Sequence, residues 1–250
     1  KKINMFDTPG YLDFHGDVKS AIRVSDCVLN VVSGSDGNSI GNDLVWEYSN
    51  KEFDKPMMLT INMCDREQSN FDSVLSSLKD NIGRYVFPLM LPINQGEGFN
   101  QVADILNKKV HTYKNDGSGN FDISDPDGEL VSKVEGFHDE LIELIAESDE
   151  QLLEKYFDQG ELSNDDINNG IKNAIITKSL IPVFCTSANQ NIGVNSMMEM
   201  IISFSPTSNN TIDPDAKGLS AFVFKTINQE HVGEISYFRV FSGNLNSGQD

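Results

Sequence analysis

Positive charge is scarce in this chain. Its 250 residues carry 19 Lys or Arg against 38 Asp or Glu, a formal net charge of −19. So acidic a chain does not grip nucleic acid through a broad electrostatic surface. Long apolar runs are also missing. No stretch of about 18 apolar residues occurs, so no transmembrane helix and no membrane partner are expected. Lys1-Lys2 leads into a five-residue apolar stretch, too short for a secretory signal. The three cysteines, Cys27, Cys64 and Cys185, are scattered within or beside apolar runs, and none are paired at metal-ligand spacing. They read as small buried hydrophobes, and a reducing cytoplasmic location is the expectation. Asn209-Asn210-Thr211 matches a glycosylation acceptor, but nothing else points to secretion.

What is present is a set of short apolar runs that end in polar signatures. Ile3 to Asp7 leads into Asp7-Thr8-Pro9-Gly10. Met57 to Asn62 leads into Asn62-Met63-Cys64-Asp65, and Ile181 to Cys185 into Ser187-Ala188-Asn189. With Val28 to Val32, these runs lack alternation, as strands covered on both faces do. Helical patterns lie at Val18 to Val24, Asp43 to Tyr48 and Val194 to Phe204. Strand and helix in alternation predict a doubly wound, mostly parallel α/β sheet. Ligands then bind beyond the carboxyl ends of the strands.

The residue types at those ends fit a purine nucleotide. An Asp at the first can help hold Mg²⁺ beside phosphates. A Gly there brings its backbone N–H close to a terminal phosphate. The tetrapeptide alone fits a strand running into a turn equally well. Asp65 can accept two hydrogen bonds from guanine, Asn62 can tie the base-binding loops together, and a Ser187-Ala188 N–H can donate to the guanine O6. Each triplet alone is weak; three in order, each after a strand, are a strong signal.

Asp7 through Phe14 resembles the phosphate-sensing motif of translational GTPases. Ala21 to Asp26, Leu44-Val45-Trp46 and Asp65-Arg66 are similar to the bacterial elongation factor G family. So is the tail, Ala221 to Lys225, Val232-Gly233 and Phe238 to Gly243. The resemblance runs along essentially the whole chain. It implies a P-loop GTPase-type domain at 1–66 plus 180–206, an inserted α+β subdomain at 67–179, a linker at 207–217 and the start of a β-barrel at 218–250. It implies GTP or GDP with Mg²⁺ as ligands, with Asp7 serving the metal through water. Asp7, Thr8, Pro9, Gly10, Asn62, Met63, Asp65, Ser187 and Ala188 are then the nucleotide-binding set. The implied partners are the ribosome, including its stalk protein through the acidic insertion, and ribosomal RNA through other regions. The implied activity is GTP-dependent movement of tRNA and mRNA. The competing readings are a ribosome-binding paralogue that hydrolyses little GTP, and a ribosome-recycling or tetracycline-protection relative.

The spacing supports an insertion independently. Arg66 to Leu180 spans 115 residues where one crossover would suffice, and a structureless loop of that length is not credible. Val86 to Ile93 and Val102 to Leu106 read as its strands, and His111 to Gly128 as a polar connection. Val134, Phe137, Leu141, Leu144 and Ile145 share one helix face. Ser148 with Gln151 and Ser163 with Asp166 have the form of capping boxes. Between Val134 and Asp166 stand twelve Asp or Glu and one Lys, either a solvated face or a dock for a basic partner. His15 and His138 read as helix residues and Trp46 as core.

Two positions depart from the family, and one element is absent. Tyr11 stands where translational GTPases place a His that orients the attacking water. A phenol, unlike an imidazole, cannot become a cation. Met63 stands where the family has Lys; it can still pack on a base but loses the ammonium contacts. No Gly-x-x-x-x-Gly-Lys-Ser/Thr phosphate loop occurs, and Gly34 to Gly41 ends in Asn42 instead. The chain is therefore expected to be a piece of a longer protein, with no nucleotide held tightly by these residues alone.

Overall fold

The computed structural model describes residues 2–207 and 218–248. The linker expected at 207–217, apart from Thr207, and the Asn209 sequon lie outside them. In chain order the elements are α1 (His15–Val24), β1 (Val28–Ser33), α2 (Ile40–Glu47), β2 (Met57–Asn62), α3 (Phe71–Ile82), β3 (Val86–Pro88) and β4 (Met90–Pro92). There follow β5 (Gln101–Asp104), β6 (Lys109–Tyr113), β7 (Phe121–Ser124), α4 (Glu129–Glu147), α5 (Glu150–Gln159) and α6 (Asn164–Ile176). Last come β8 (Ile181–Cys185), α7 (Val194–Phe204), β9 (Ser220–Gln229) and β10 (Gly233–Ser242).

A parallel sheet in the order β1-β2-β8-β3 forms the centre. Val28 pairs with Met57, Leu59 with Val183, and Val86 with Ile181. Met57 to Ile61 and all of β8 are buried, as an unbroken apolar run between helices requires. Phe71, Val74, Leu75 and Leu78 of α3 and Met197, Met200 and Phe204 of α7 join the same core. The mixed α/β class with a mostly parallel sheet is as expected. No helix among the described residues is long and apolar enough to cross a membrane.

Two expected strands differ. Ile3 to Asp7 forms no strand, and Ile3, Met5 and Phe6 are exposed. A strand exists only through a neighbour's hydrogen bonds, and among the described residues no strand runs beside this segment; Phe6 instead sets its ring edge-on to Phe224 of β9 at 5.2 Å. β1 forms, yet it alternates: Asn30 and Val32 are buried while Leu29 and Val31 face outward. Its covered face meets α2, where the Asn30 side-chain amide donates to Asn42 O at 3.2 Å.

The run read as one strand from Val86 to Ile93 is two, divided at Leu89. The Leu89 N–H donates to Val183 O of β8, and its carbonyl accepts from Ile105 N–H beyond β5. The chain leaves the parallel sheet there and enters an antiparallel one, β4-β5-β6-β7. The insertion therefore begins near Leu89: α3 and β3, placed inside the 67–179 subdomain from sequence, belong with the parallel sheet. The polar connection expected at 111–128 contains a hairpin, β6 against β7. Its Gly and Asp density is the turn itself, with Gly117 and Gly119 at positive φ.

Helices α4, α5 and α6 complete the insertion. Val134, Leu141 and Ile145 of α4 are buried on the expected face. Gly170 of α6 is where that helix meets α4, because a Cβ there would lie 2.3 Å from Ile145 Cγ2. The capping box at Ser163 and Asp166 forms, and Asp166 also binds Lys155 at 2.5 Å. The one expected at Ser148 does not. Asp149 caps α5 instead, accepting from the Gln151 and Leu152 amides, while Ser148 donates back to Ile145 O. An ionised side chain is the stronger acceptor for the orphan amides of a helix start. Trp46 is half-buried against the core, His15 opens α1 with its ring 5.7 Å from that of Tyr48, and His138 lies within α4. β9 and β10 form a twisted antiparallel hairpin, held to α1 where Arg239 donates to Asp26 and to Val24 O.

Candidate functional site

Two loops at the carboxyl ends of β2 and β8 meet. Parallel pairing makes this unavoidable, since it brings Ile61 level with Cys185. Thr60 and Thr186, both buried, share a hydroxyl hydrogen bond of 3.0 Å. The Thr186 N–H donates to Ile61 O at 2.9 Å, and the Cys64 N–H to Thr186 O at 3.1 Å. Asn62 Oδ1 then accepts from the Ala188 N–H at 2.9 Å and the Thr186 hydroxyl at 3.2 Å. One Asn side chain thus ties both loops.

The first loop is a turn from Met63 to Arg66, closed by the Arg66 N–H on Met63 O. Met63 takes a left-handed conformation at φ 65°, a strain of about 1–2 kcal/mol, and its sulfur accepts from the Ser33 hydroxyl at 3.8 Å. Gly34 backs this turn: its N–H donates to Asn62 O at 2.7 Å, and a Cβ would lie 2.9 Å from that oxygen. Cys64 lies beneath, its thiol pushed up to about 12 by burial. Cys185 is raised well above its usual range for the same reason. Neither is a nucleophile near neutral pH.

The second loop, Ser187 to Ile192, is closed by paired backbone bonds between Ser187 and Ile192 at 2.9 and 3.0 Å. Gly193 follows at φ 75°, packed so closely that a Cβ would lie 2.3 Å from Cys185 O. Between the loops lies a cavity of about 350 Å³, lined by Asn62, Met63, Asp65, Arg66, Ala188 and Asn189. Its size suits a planar base. The Asp65 carboxylate stands in its wall, half-buried, with only acceptors to offer. A ligand edge presenting two N–H donors matches that wall. A larger hollow of about 600 Å³, lined by residues such as Arg23, Lys55 and Phe222, lies by α1 and β9. Volume alone does not choose between them. The smaller one has its polar groups fixed by two strand ends.

Of the residues singled out from sequence, Asn62, Met63, Asp65, Ser187 and Ala188 are gathered here. Asp7, Thr8, Pro9, Gly10 and Tyr11 are not among the lining residues. They lie on an open segment, Tyr11 being 78% exposed and Gly10 having no heavy atom within 4 Å of a would-be Cβ. Among the described residues no group of three His, Cys, Asp or Glu side chains is placed to hold a metal ion. Asp7 is a single exposed carboxylate, so these residues do not by themselves build a Mg²⁺ site. Sequence reasoning missed Thr60, Thr186 and Gly34, whose contacts come from strand pairing. Asn189 and Arg66 stood inside the signatures Ser187-Ala188-Asn189 and Asp65-Arg66 but were not placed in the nucleotide-binding set; both line the cavity.

The cavity lies where doubly wound sheets bind their ligands, outside the carboxyl ends of the strands. Comparison with known proteins gives the family. The model of the elongation factor Tu GTP binding domain matches residues 1–207, and the chain belongs to that family. A crystal structure of a Thermus thermophilus protein is similar with a TM-score of 0.87 and 27% identity, over 97% of this chain and 36% of that one. The chain thus spans little more than a third of the structure it matches. At 97% coverage the insertion is part of what the two share. The protein is a GTP-binding translation-factor domain of the translational GTPases. Family membership implies a guanine nucleotide, with Mg²⁺ as is usual for GTPases.

Proposed function

We propose that this chain is the nucleotide-binding region of an elongation factor G-like protein that engages the ribosome in the cytoplasm and promotes movement of tRNA and mRNA. The observation that carries this reading is the insertion between β3 and β8, a four-stranded antiparallel sheet followed by three helices. A compact nucleotide domain has no need of it. In this reading Asp65 accepts from the guanine N1 and exocyclic amine, and Met63 lies along the base. Asn62 holds the second loop in register, and the Ser187-Ala188 backbone faces the guanine O6. Asp7 and Gly10 serve Mg²⁺ and the γ-phosphate. Bound Mg²⁺ would neutralise phosphate charge. The acidic faces of α4 to α6 meet a basic partner, the ribosomal stalk protein, while other regions touch ribosomal RNA.

The test is sedimentation of the full-length protein with ribosomes, followed by toeprinting of mRNA position. Binding is expected with a non-hydrolysable GTP analogue and not with GDP, with the mRNA advanced by one codon. Sedimentation indifferent to the nucleotide would reject the proposal. A second reading rests on Tyr11: the protein works on the ribosome while hydrolysing GTP slowly. Normal binding with very slow multiple-turnover hydrolysis would favour it.

A further inference from the structure

The loop that follows β8 is held from its far side by the insertion. Asn191 Nδ2 donates to Gly117 O at 3.2 Å, and Asn195 Nδ2 to Gly119 O at 2.8 Å. Both carbonyls belong to the turn between β6 and β7. One step along α7, Ser196 Oγ lies 2.8 Å from His111 Nδ1 and 2.6 Å from the Tyr113 hydroxyl, all three residues buried. His111 and Tyr113 are held in turn by Phe121, with ring centroids 4.4 and 4.9 Å away. Gly119 lies so close that a Cβ would be 2.7 Å from Asn191 Nδ2 and 2.9 Å from Asn195 Nδ2.

These four bonds join elements about 75 to 85 residues apart in the chain, and they converge on one short segment, Asn191 to Ser196. Asn191 belongs to the turn closed by Ser187 and Ile192, and it takes a left-handed φ of 56° there. The same turn presents Ala188 to Asn62. The loop is thus gripped on one side by β2 and on the other by the hairpin. Stability alone does not explain the placement, since α7 is already buried through Met197, Met200 and Phe204.

We propose that the β6–β7 hairpin is a positioning element for the guanine-binding loop, with Asn191, Asn195 and Ser196 as the latch. Whatever moves the insertion is then felt at the base, and the nucleotide's residence time depends on the latch. This rests on the reading that the cavity between Asp65 and Ala188 takes guanine.

The experiment has two arms and a control. In the first, hydrogen exchange by mass spectrometry follows peptides covering 186–193 in this chain, without nucleotide. The variant Asn191→Asp with Asn195→Asp keeps side-chain shape and tolerance of positive φ, yet turns both donors into acceptors facing carbonyls. Asn195→Ala simply deletes one bond. Exchange of the loop amides should rise roughly 10-fold in the double variant and less in the single, as loss of two modest hydrogen bonds implies. Peptides from β2 and α3 should not change. In the second arm, GDP should leave the full-length double variant several-fold faster. The control is Asp65→Ala, which should abolish GDP binding.

Faster loop exchange with faster GDP release supports the proposal. Unchanged loop exchange in the folded double variant overturns it. Faster exchange with unchanged GDP release, while Asp65→Ala still abolishes binding, also overturns it and leaves the site reading intact. Undiminished GDP binding by Asp65→Ala removes the site reading and this proposal with it.

Discussion

The loops at 62–65 and 187–192 and the segment from Asp7 to Tyr11 were read from sequence as parts of one site, yet they differ in physical support. The loops are cross-tied by Asn62, Thr60, Thr186 and Gly34. The Asp7 segment is exposed; Phe6 before it sets its ring edge-on to Phe224, and Tyr11 O accepts from the Phe14 N–H at 3.0 Å. The difference teaches where the order of a site comes from. Both base loops grow from strands with neighbours on either side, so main-chain hydrogen bonds deliver them to one place. The Asp7 segment has no strand beside it among the described residues, and motif chemistry does not supply geometry.

The comparison can be broken most sharply through Tyr11. If the open segment lacks only the water-orienting imidazole, Tyr11→His in the full-length protein should raise ribosome-stimulated GTP hydrolysis by about 10²–10⁴-fold. Quench-flow single turnovers measure this. A wild-type rate already equal to that of ordinary elongation factor G would remove the premise.

Two glycines test the contrast in support within this chain. Gly193→Ala places a methyl 2.3 Å from Cys185 O at φ 75°, and should cost on the order of 3 kcal/mol of unfolding free energy. Gly10→Ala, with nothing near its Cβ, should stay within about 0.5 kcal/mol of wild type. Urea denaturation followed by circular dichroism decides. Equal effects at both positions would show that the loops are no better supported than the segment.

Met63 sharpens the comparison at the base. Met63 lines the cavity, and its sulfur accepts from the Ser33 hydroxyl at 3.8 Å, at the end of β1. Met63→Lys in the full-length protein restores an ammonium there, and should tighten GTP and GDP together by about 2–10-fold. Guanine over adenine selectivity should survive, because Asp65 leaves a mismatched base with unpaired buried groups. Calorimetry with GDP and ADP reads both; no change in the GDP dissociation constant counts against Met63 as a base contact.

The smallest effect concerns the acidic helices. Glu143, Glu150 and Glu154 are exposed, whereas Glu147 is engaged with Arg84 at 3.4 Å. Replacing the first three by Lys should slow ribosome association a few-fold at low salt, with the difference fading as salt rises. An unchanged low-salt rate in the folded triple variant returns these residues to a solvated face.

Much of the fold was legible because local rules and tertiary environment agreed. The unbroken apolar runs at 57–62 and 181–185 are buried strands, and Val194 to Phe204 is a helix with its Gly193 before it. The apolar face of α4 followed from its period of 3.6. Reading failed where a neighbour decides the outcome. An apolar run at Ile3 to Asp7 is strand-like in composition, but composition supplies no partner. Val86 to Ile93 reads as one strand because its break at Leu89 is made by two different sheets. The hairpin at 109–124 was hidden by short strands around a turn rich in Gly, Asp and Asn. In the site, the residue types and their order after strands were determined by the sequence alone, because chemistry limits what can face a guanine edge. Which of those residues meet, and that Asn191, Asn195 and Ser196 tie them to the insertion, was decided only by strand register and close backbone approach. Such contacts join residues more than 70 positions apart, where no local pattern in the chain records the distance.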